Sequence, residues 1–354
     1  MRLKHLWFAA AVTAVSAAAM CNASAQSVSG SQGDGGTPRS LEAVPDLSAR
    51  KVVDRTPKVD EGQQRSLREP TLEELQRGFT TISRKKGGGE ETVAPDATLQ
   101  ENIKLQQDGN RPERAARPTG EDPLFAESDR TVIGEDSRVQ INSTTDYPFR
   151  TIGQLWSVDN AGNWSTCTAT LISPRAVITA AHCVYSPEAG GWLKDYEFYP
   201  AANGNDAPFG MVSWSDVFIM NGYIENAQTS NTPWDMAVIV LSQPVGDNLG
   251  WMGYSVYDPA QSFQANIVGY PGDKPASTLW RASCDVFDIN VIETNFFYDC
   301  DTFGGMSGSS IYDYNPDTKE RTINGVHVAG NEEFNIGTRL NWAYFQWVSQ
   351  NAPR

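Results

Sequence analysis

Histidine is almost absent from this chain of 354 residues, which has only three. Cysteine is nearly as rare, with five, and no two of them stand in a C-x-x-C pair. That spacing excludes the common cysteine-built zinc sites. Basic residues are outnumbered, 28 Lys+Arg against 43 Asp+Glu, for a net charge of −15. Such an acidic chain is a poor partner for nucleic acid or an anionic membrane. Between Gln26 and Arg130 there is no Trp, no Tyr and no Cys, and Phe79 and Phe125 are the only aromatics.

The first 25 residues have their own pattern. Arg2 and Lys4 precede the apolar run "LWFAAAVTAVSAAAM", and the small residues "ASA" lie just before Gln26. A basic start, a short apolar stretch and a small-residue cut site make a secretory signal. The run is short for a membrane span, and no second apolar segment follows. A lipid anchor on Cys21 is disfavoured because bulky Met20 precedes it. Export to the extracellular space or periplasm is therefore expected, with no membrane association after the signal is removed. Four cysteines then remain: Cys167, Cys183, Cys284 and Cys300. An even count in an oxidising compartment implies two disulfides. Three pairings are open, and the two local loops, Cys167–Cys183 and Cys284–Cys300, are favoured.

Composition changes near residue 130. Runs such as "GSQGDGG" and "SRKKGGGEE" cannot bury enough apolar area to offset the entropy of ordering. Residues 26–130 are therefore expected to be a largely disordered, extended pro-segment, with one short helix at "TLEELQRGF". Residues 131–354 hold all twelve Tyr and nine of the ten Trp, and carry 10 Lys+Arg against 24 Asp+Glu. This is the expected folded domain. It contains short runs rich in β-formers, "TIGQLW", "CTATLI", "AVITAA", "MAVIVL", "ANIVGY" and "INGVHVA", separated by Gly, Pro, Asn and Asp. One helical pattern, "WAYFQWVSQ", closes the chain. The fold class is all-β, a sandwich or barrel with a C-terminal helix.

His5 leaves with the signal, so His182 and His327 are the two histidines to explain. His182 ends "VITAAH", where a strand delivers it to the rim of a core and Cys183 fixes the backbone behind it. Alone it could equally be a buried, satisfied histidine. Asp235 opens "DMAVIVL", and a carboxylate drawn in with an apolar strand needs a donor. Alone it could be one exposed acid among many. Ser307 lies in "TFGGMSGSS". Glycines on both sides let the chain turn sharply, and let the amides of Gly305 and Ser307 aim at one point where negative charge could be held. Alone this could be a glycine-rich hairpin.

Together they are more specific. His, Asp and Ser in that chain order match the chymotrypsin-type enzymes. "TAAHC", the D-x-A-x-x-x-L strand and "GG-x-SGS" resemble the three signatures of the trypsin-like superfamily. Within it, "TVIGEDSRVQINSTTDYPFRTIGQL", "VGYPGDKPASTLW", "GVHVAG" and "GTRLN" resemble the bacterial glutamyl endopeptidases of staphylococcal and bacillar type. The resemblance covers residues 131–354 and none of 26–130. It implies two six-stranded antiparallel barrels with the active site between them. Ser307 is the implied nucleophile, His182 the general base, Asp235 the group that orients it, and the Gly305 and Ser307 amides the oxyanion donors. No metal or cofactor is implied.

The resemblance also implies a pocket for a substrate glutamate, lined by His327 and Thr302 and completed by the free amino group of the mature chain. Cutting at Arg130–Thr131 or Thr131–Val132 would expose it, so Thr131 is counted with the pocket. The attached pro-segment would then act as a latch. Met306 departs from the pattern: chymotrypsin has an aspartate there that pairs with its new amino terminus, and a thioether cannot. Met306 is expected to fill space behind the loop. The expected partners are protein and peptide substrates and the chain's own pro-segment before processing, with the enzyme acting as a monomer. Two other readings remain: a protease of the same fold that prefers small or apolar residues, and a protease-like binding module without catalysis.

Overall fold

The computed structural model describes residues 27–36, 47, 50–55, 70–108, 132–227, 231–256, 262–287, 290–331 and 333–353. The signal, Cys21, Thr131 and the Arg130 cut site lie outside these. Six antiparallel strands from the second part of the chain build the first sheet. Across it they run Asp195–Pro200, Ile152–Val158, Trp164–Leu171, Ala176–Thr179, Ala237–Leu241 and Trp214–Met220. Phe198 also bridges to Val212, just ahead of the last strand, so the sheet curls back on itself. Ile152–Val158, Ala176–Thr179 and Ala237–Leu241 are buried along their whole length, which suits the continuous apolar run of Ala237–Leu241 and requires partners for buried polar residues such as Ser157, whose hydroxyl donates to the Cys183 carbonyl.

The second sheet takes Val139–Ile141, Leu279–Val286, Phe263–Gly269, Ser310–Tyr314, Arg321–Gly330 and Gly253–Ser255 in that order. Asn335–Arg339 and Asn295–Tyr298 branch from Arg321–Gly330. The fold is chymotrypsin-like, two barrel-like sheets and a C-terminal helix, but the second sheet exceeds the expected six strands. One of its pairings, Gly253–Ser255 with Arg321–Gly330, is parallel. The closing helix is Trp342–Asn351, capped by Asn341, whose side chain accepts from the amides of Ala343 and Tyr344. Both favoured disulfides form: Cys167–Cys183 with Cα atoms 6.1 Å apart, and Cys284–Cys300 at 5.1 Å. No described helix is long and apolar enough to cross a membrane.

The expectation of a largely disordered segment over 26–130 does not hold for its described residues. The short helix is there, Leu72–Gly78, started by a capping box between Thr71 and Glu74. After it, Thr81–Lys85 adds to the first sheet beside Trp214–Met220, and Glu90–Val93 pairs outside it. A second helix, Ala97–Asp108, follows. Leu75, Phe79, Leu99 and Ile103 are all fully buried. Further back, Ser27–Val28 pairs with Gly253–Ser255, and Arg50 bonds Glu197 at 2.7 Å and lies over the Trp164 ring. A segment poor in aromatics cannot make its own core, but these few apolar side chains are enough to complete the core of a neighbour.

Candidate active site

Register brings the first two candidate residues together. Ala237 stands opposite Thr179 in the sheet. His182 lies three residues beyond Thr179, in the 3-10 turn Ala181–Cys183, and Asp235 lies two residues before Ala237. Both therefore emerge at the same end of neighbouring strands. Asp235 grips His182 twice: Oδ1 accepts from the backbone N–H at 2.9 Å, and Oδ2 lies 2.8 Å from ring Nδ1. Asp235 is fully buried and His182 nearly so. A buried carboxylate at Nδ1 fixes the proton there and leaves Nε2 as the free basic nitrogen.

Ser307 comes from the second sheet. Its loop is held against the first by Thr168 N–H donating to the Ser307 carbonyl at 2.8 Å, and to its own sheet by Gly308 N–H donating to the His327 carbonyl at 2.8 Å. Cys183 Sγ lies 3.8 Å from the same Ser307 carbonyl, so the serine loop sits on the His182 turn. Gly305 and Gly308 have φ +96° and +85°. A Cβ at Gly305 would stand 2.4 Å from the Tyr270 carbonyl, so the position must be glycine. Met306 N–H donates to the Phe303 carbonyl at 2.9 Å. The flanking amides of Gly305 and Ser307 donate to no acceptor among the described residues.

His182 Nε2 and Ser307 Oγ are buried and have no hydrogen-bond partner among the described residues. Unpaired buried polar atoms cost about 1–3 kcal/mol each. These two atoms, and the amides of Gly305 and Ser307, are left available for a further partner.

His327 and Thr302 are both buried near this centre, but neither is idle. The Tyr298 hydroxyl lies 2.7 Å from His327 Nδ1. Burial, then the nearness of His182, pushes His327 down to about 3, so its ring is neutral at ordinary pH. Burial pushes Tyr298 well up, so the phenol keeps its proton and donates it to Nδ1. Nε2 of His327 must then carry the ring's one N–H. Thr302 Oγ1 donates to Asn335 Oδ1 at 2.9 Å, and Asn335 Nδ2 donates to the Cys300 carbonyl at 2.7 Å. Thr302 was a candidate from the sequence, but neither Tyr298 nor Asn335 carried a signal there.

Asp301 was also missed. It is buried beside Thr302 and accepts from Ile133 N–H at 2.8 Å on one oxygen. Its other oxygen takes Ser137 N–H at 2.7 Å and the Ser137 hydroxyl at 2.6 Å. The start of the folded domain is thus tied to the segment that carries Thr302. Met306 is fully buried in a cluster with Ile267, Phe296, Tyr298 and Ile311. The expected space-filling role fits this position, and Asp301 does the anchoring.

Fold and site together define a chymotrypsin-like serine endopeptidase. A family model described as Trypsin matches residues 141–334, and the chain belongs to that family. It is 34% identical over 226 residues to the glutamyl endopeptidase of Bacillus licheniformis, covering 61% of this chain and 67% of that one. It is 33% identical over 229 residues to a Bacillus subtilis protein named extracellular metalloprotease, covering 62% and 70%. A solved Glu endopeptidase in complex with MPD superposes with a TM-score of 0.55 at 27% identity, covering 63% of this chain and all of the other. The chain is of the glutamyl endopeptidase type within the family. Among the described residues, the clustered donor set does not fit the metal that the word metalloprotease implies. Cys167, His182 and Cys183 do place ligand atoms within 4.8 Å of one another. Their two sulfurs are bonded to each other as a disulfide, so neither is a thiolate.

Proposed function

We propose that this chain is an exported endopeptidase that cuts peptide bonds after glutamate, with Ser307, His182 and Asp235 as its catalytic residues. The observation that carries the reading is the double grip of Asp235 on His182, with His182 Nε2 and the Ser307 hydroxyl both buried and unpartnered among the described residues. Ser307 Oγ attacks the scissile carbonyl and passes its proton to His182 Nε2. Asp235, already holding Nδ1–H, stabilises the imidazolium that results. The amides of Gly305 and Ser307 receive the oxyanion, and each such donor is worth about 100- to 1000-fold in rate. His182 returns the proton to the leaving amine, and an acyl-enzyme remains on Ser307. Water, activated by the same imidazole, hydrolyses it.

The preference for glutamate rests on His327. Its neutral ring, held by Tyr298, presents Nε2–H as a hydrogen-bond donor that brings no charge. A buried carboxylate needs a balancing cation as well. The new amino group made by cutting at Arg130–Thr131 or Thr131–Val132 supplies it. The bonds of Asp301 to Ile133 and Ser137 support this, because Ile133 lies only one or two residues from that end. Until the cut is made the cation does not exist, and the attached pro-segment keeps the pocket incomplete. Like the extracellular Bacillus protein it matches, the chain is read as a secreted enzyme.

The test compares peptides that differ only by Glu or Gln before the scissile bond. The processed enzyme should prefer Glu by about 100-fold or more in kcat/KM, the scale of a site built around a buried polar partner. Equal rates would remove the glutamate assignment and leave the serine mechanism standing.

A further inference from the structure

We propose that residues 71–108 are a permanent part of the enzyme, staying seated on the catalytic domain after the chain is cut near residue 130 and holding in place the loop that carries Asp235. This rests on the reading that processing occurs there. These residues extend the catalytic domain's own sheet and enter its core.

The contact is built at every level. Thr81–Lys85 pairs in full register with Asp216–Met220, covering an otherwise open edge of the first sheet. Asn221 N–H donates to the Thr80 carbonyl at 2.8 Å, and Trp347 Nε1 donates to Thr81 Oγ1 at 2.9 Å. Arg84 reaches the Leu193 carbonyl at 2.5 Å. Phe79 has no exposed surface. Such a surface, stripped of the segment, would present unpaired strand groups and an apolar hollow to water.

The hollow adjoins the catalytic centre. Trp234 is the residue before Asp235, and its ring is clamped from the leader side. The Phe79 ring meets it edge-on at 5.4 Å and meets Tyr344 at 4.8 Å. A Cβ on Gly78 would stand 2.3 Å from the indole, so the helix end lies directly on the ring. Tyr344 in turn bonds the Pro233 carbonyl through its hydroxyl. Residues 233–235 are thus fixed between the leader and the C-terminal helix. Phe79 acts as a positioning residue, through Trp234, on the carboxylate that orients His182.

The test uses residues 26–354 carrying Ser307→Ala, with residues 125–130 replaced by the recognition site of a sequence-specific protease. After complete cutting, native size-exclusion chromatography with mass analysis should find fragment 26–130 in the same peak as 131–354. Separate elution, with 131–354 keeping the near-ultraviolet circular dichroism of the uncut chain, would overturn the proposal. A second arm measures Phe79→Ala and Phe79→Leu in the active enzyme, with rates counted per site labelled by a fluorophosphonate. Phe79→Ala should lower kcat per labelled site about tenfold or more with KM little changed, the scale of a small misplacement transmitted from a distance, and Phe79→Leu should recover most of it. An unchanged kcat per labelled site would overturn the positioning role. If no variant labels, the serine mechanism has failed, and the chromatography still reads the association alone.

Discussion

The Tyr298 hydroxyl lies 2.7 Å from His327 Nδ1, and both residues are buried. This one bond decides which face of the imidazole carries hydrogen. Removing the hydroxyl with Tyr298→Phe leaves a buried acceptor unpaired, at about 1–3 kcal/mol. The ring is then free to take the other tautomer. Tyr298→Phe is expected to lower kcat/KM on Glu peptides by about 5- to 150-fold, and to lower it much less on Gln peptides. Steady-state kinetics on the matched pair checks this.

His327 also sets a pH dependence of stability. Its folded value is pushed down to about 3 from 6.5, mainly by burial. Between these values the unfolded chain binds the proton and the folded chain does not, so protonation favours unfolding. The contribution is whole above pH 6.5 and is lost as pH falls toward 3. The slope approaches about 1.4 kcal/mol per pH unit. Asp136, held low chiefly by its bonds to Arg138, begins to matter only near its unfolded value of 3.8. Asp313, raised by burial, acts in the opposite sense as pH falls, so the histidine's part between pH 6.5 and 4.5 is read as the difference in urea midpoints between the parent and His327→Asn. The decline should be clear in the parent and flattened in His327→Asn.

Gly305 is required by shape. Gly305→Ala would drive a methyl toward the Tyr270 carbonyl and push a residue with φ +96° out of its conformation. The Gly305 amide, proposed as an oxyanion donor, would turn away. A fall in kcat of about 100- to 1000-fold is expected, with near-ultraviolet circular dichroism retained. Activity within a few-fold of the parent would show that this amide is not used.

Asp301 ties the domain's start, through three donors, to the segment carrying Thr302, which is proposed to line the pocket. Asp301→Asn removes one acceptor and sets an N–H₂ against an N–H. The freed end should reduce the Glu-over-Gln preference about tenfold, as expected for losing a hydrogen bond to a charged group, while cleavage of the Gln peptide changes little. Paired kinetics on the processed variant checks it.

Much of this was legible because it is local. "AVITAA" and "MAVIVL" become Ala176–Thr179 and Ala237–Leu241, and a β-branched run has few alternatives. "WAYFQWVSQ" becomes the helix Trp342–Asn351. The two disulfides close local loops. The bond between His182 and Asp235 follows from two strands pairing in one register, which the sequence suggested only through the order of the motifs. The leader was misjudged for a physical reason. Leu75, Phe79, Leu99 and Ile103 are too few for a core of their own, and composition alone does not reveal that another segment supplies the rest. Asp301 and Asn335 were missed because their partners lie far along the chain, at Ile133 and Thr302.

The most direct measurement is a cleavage map of one unfolded protein substrate by the processed enzyme and by its Ser307→Ala variant. The account predicts cuts after glutamate by the parent and none by the variant. Cutting that persists without the Ser307 hydroxyl, or parent cuts scattered without regard to glutamate, would contradict it.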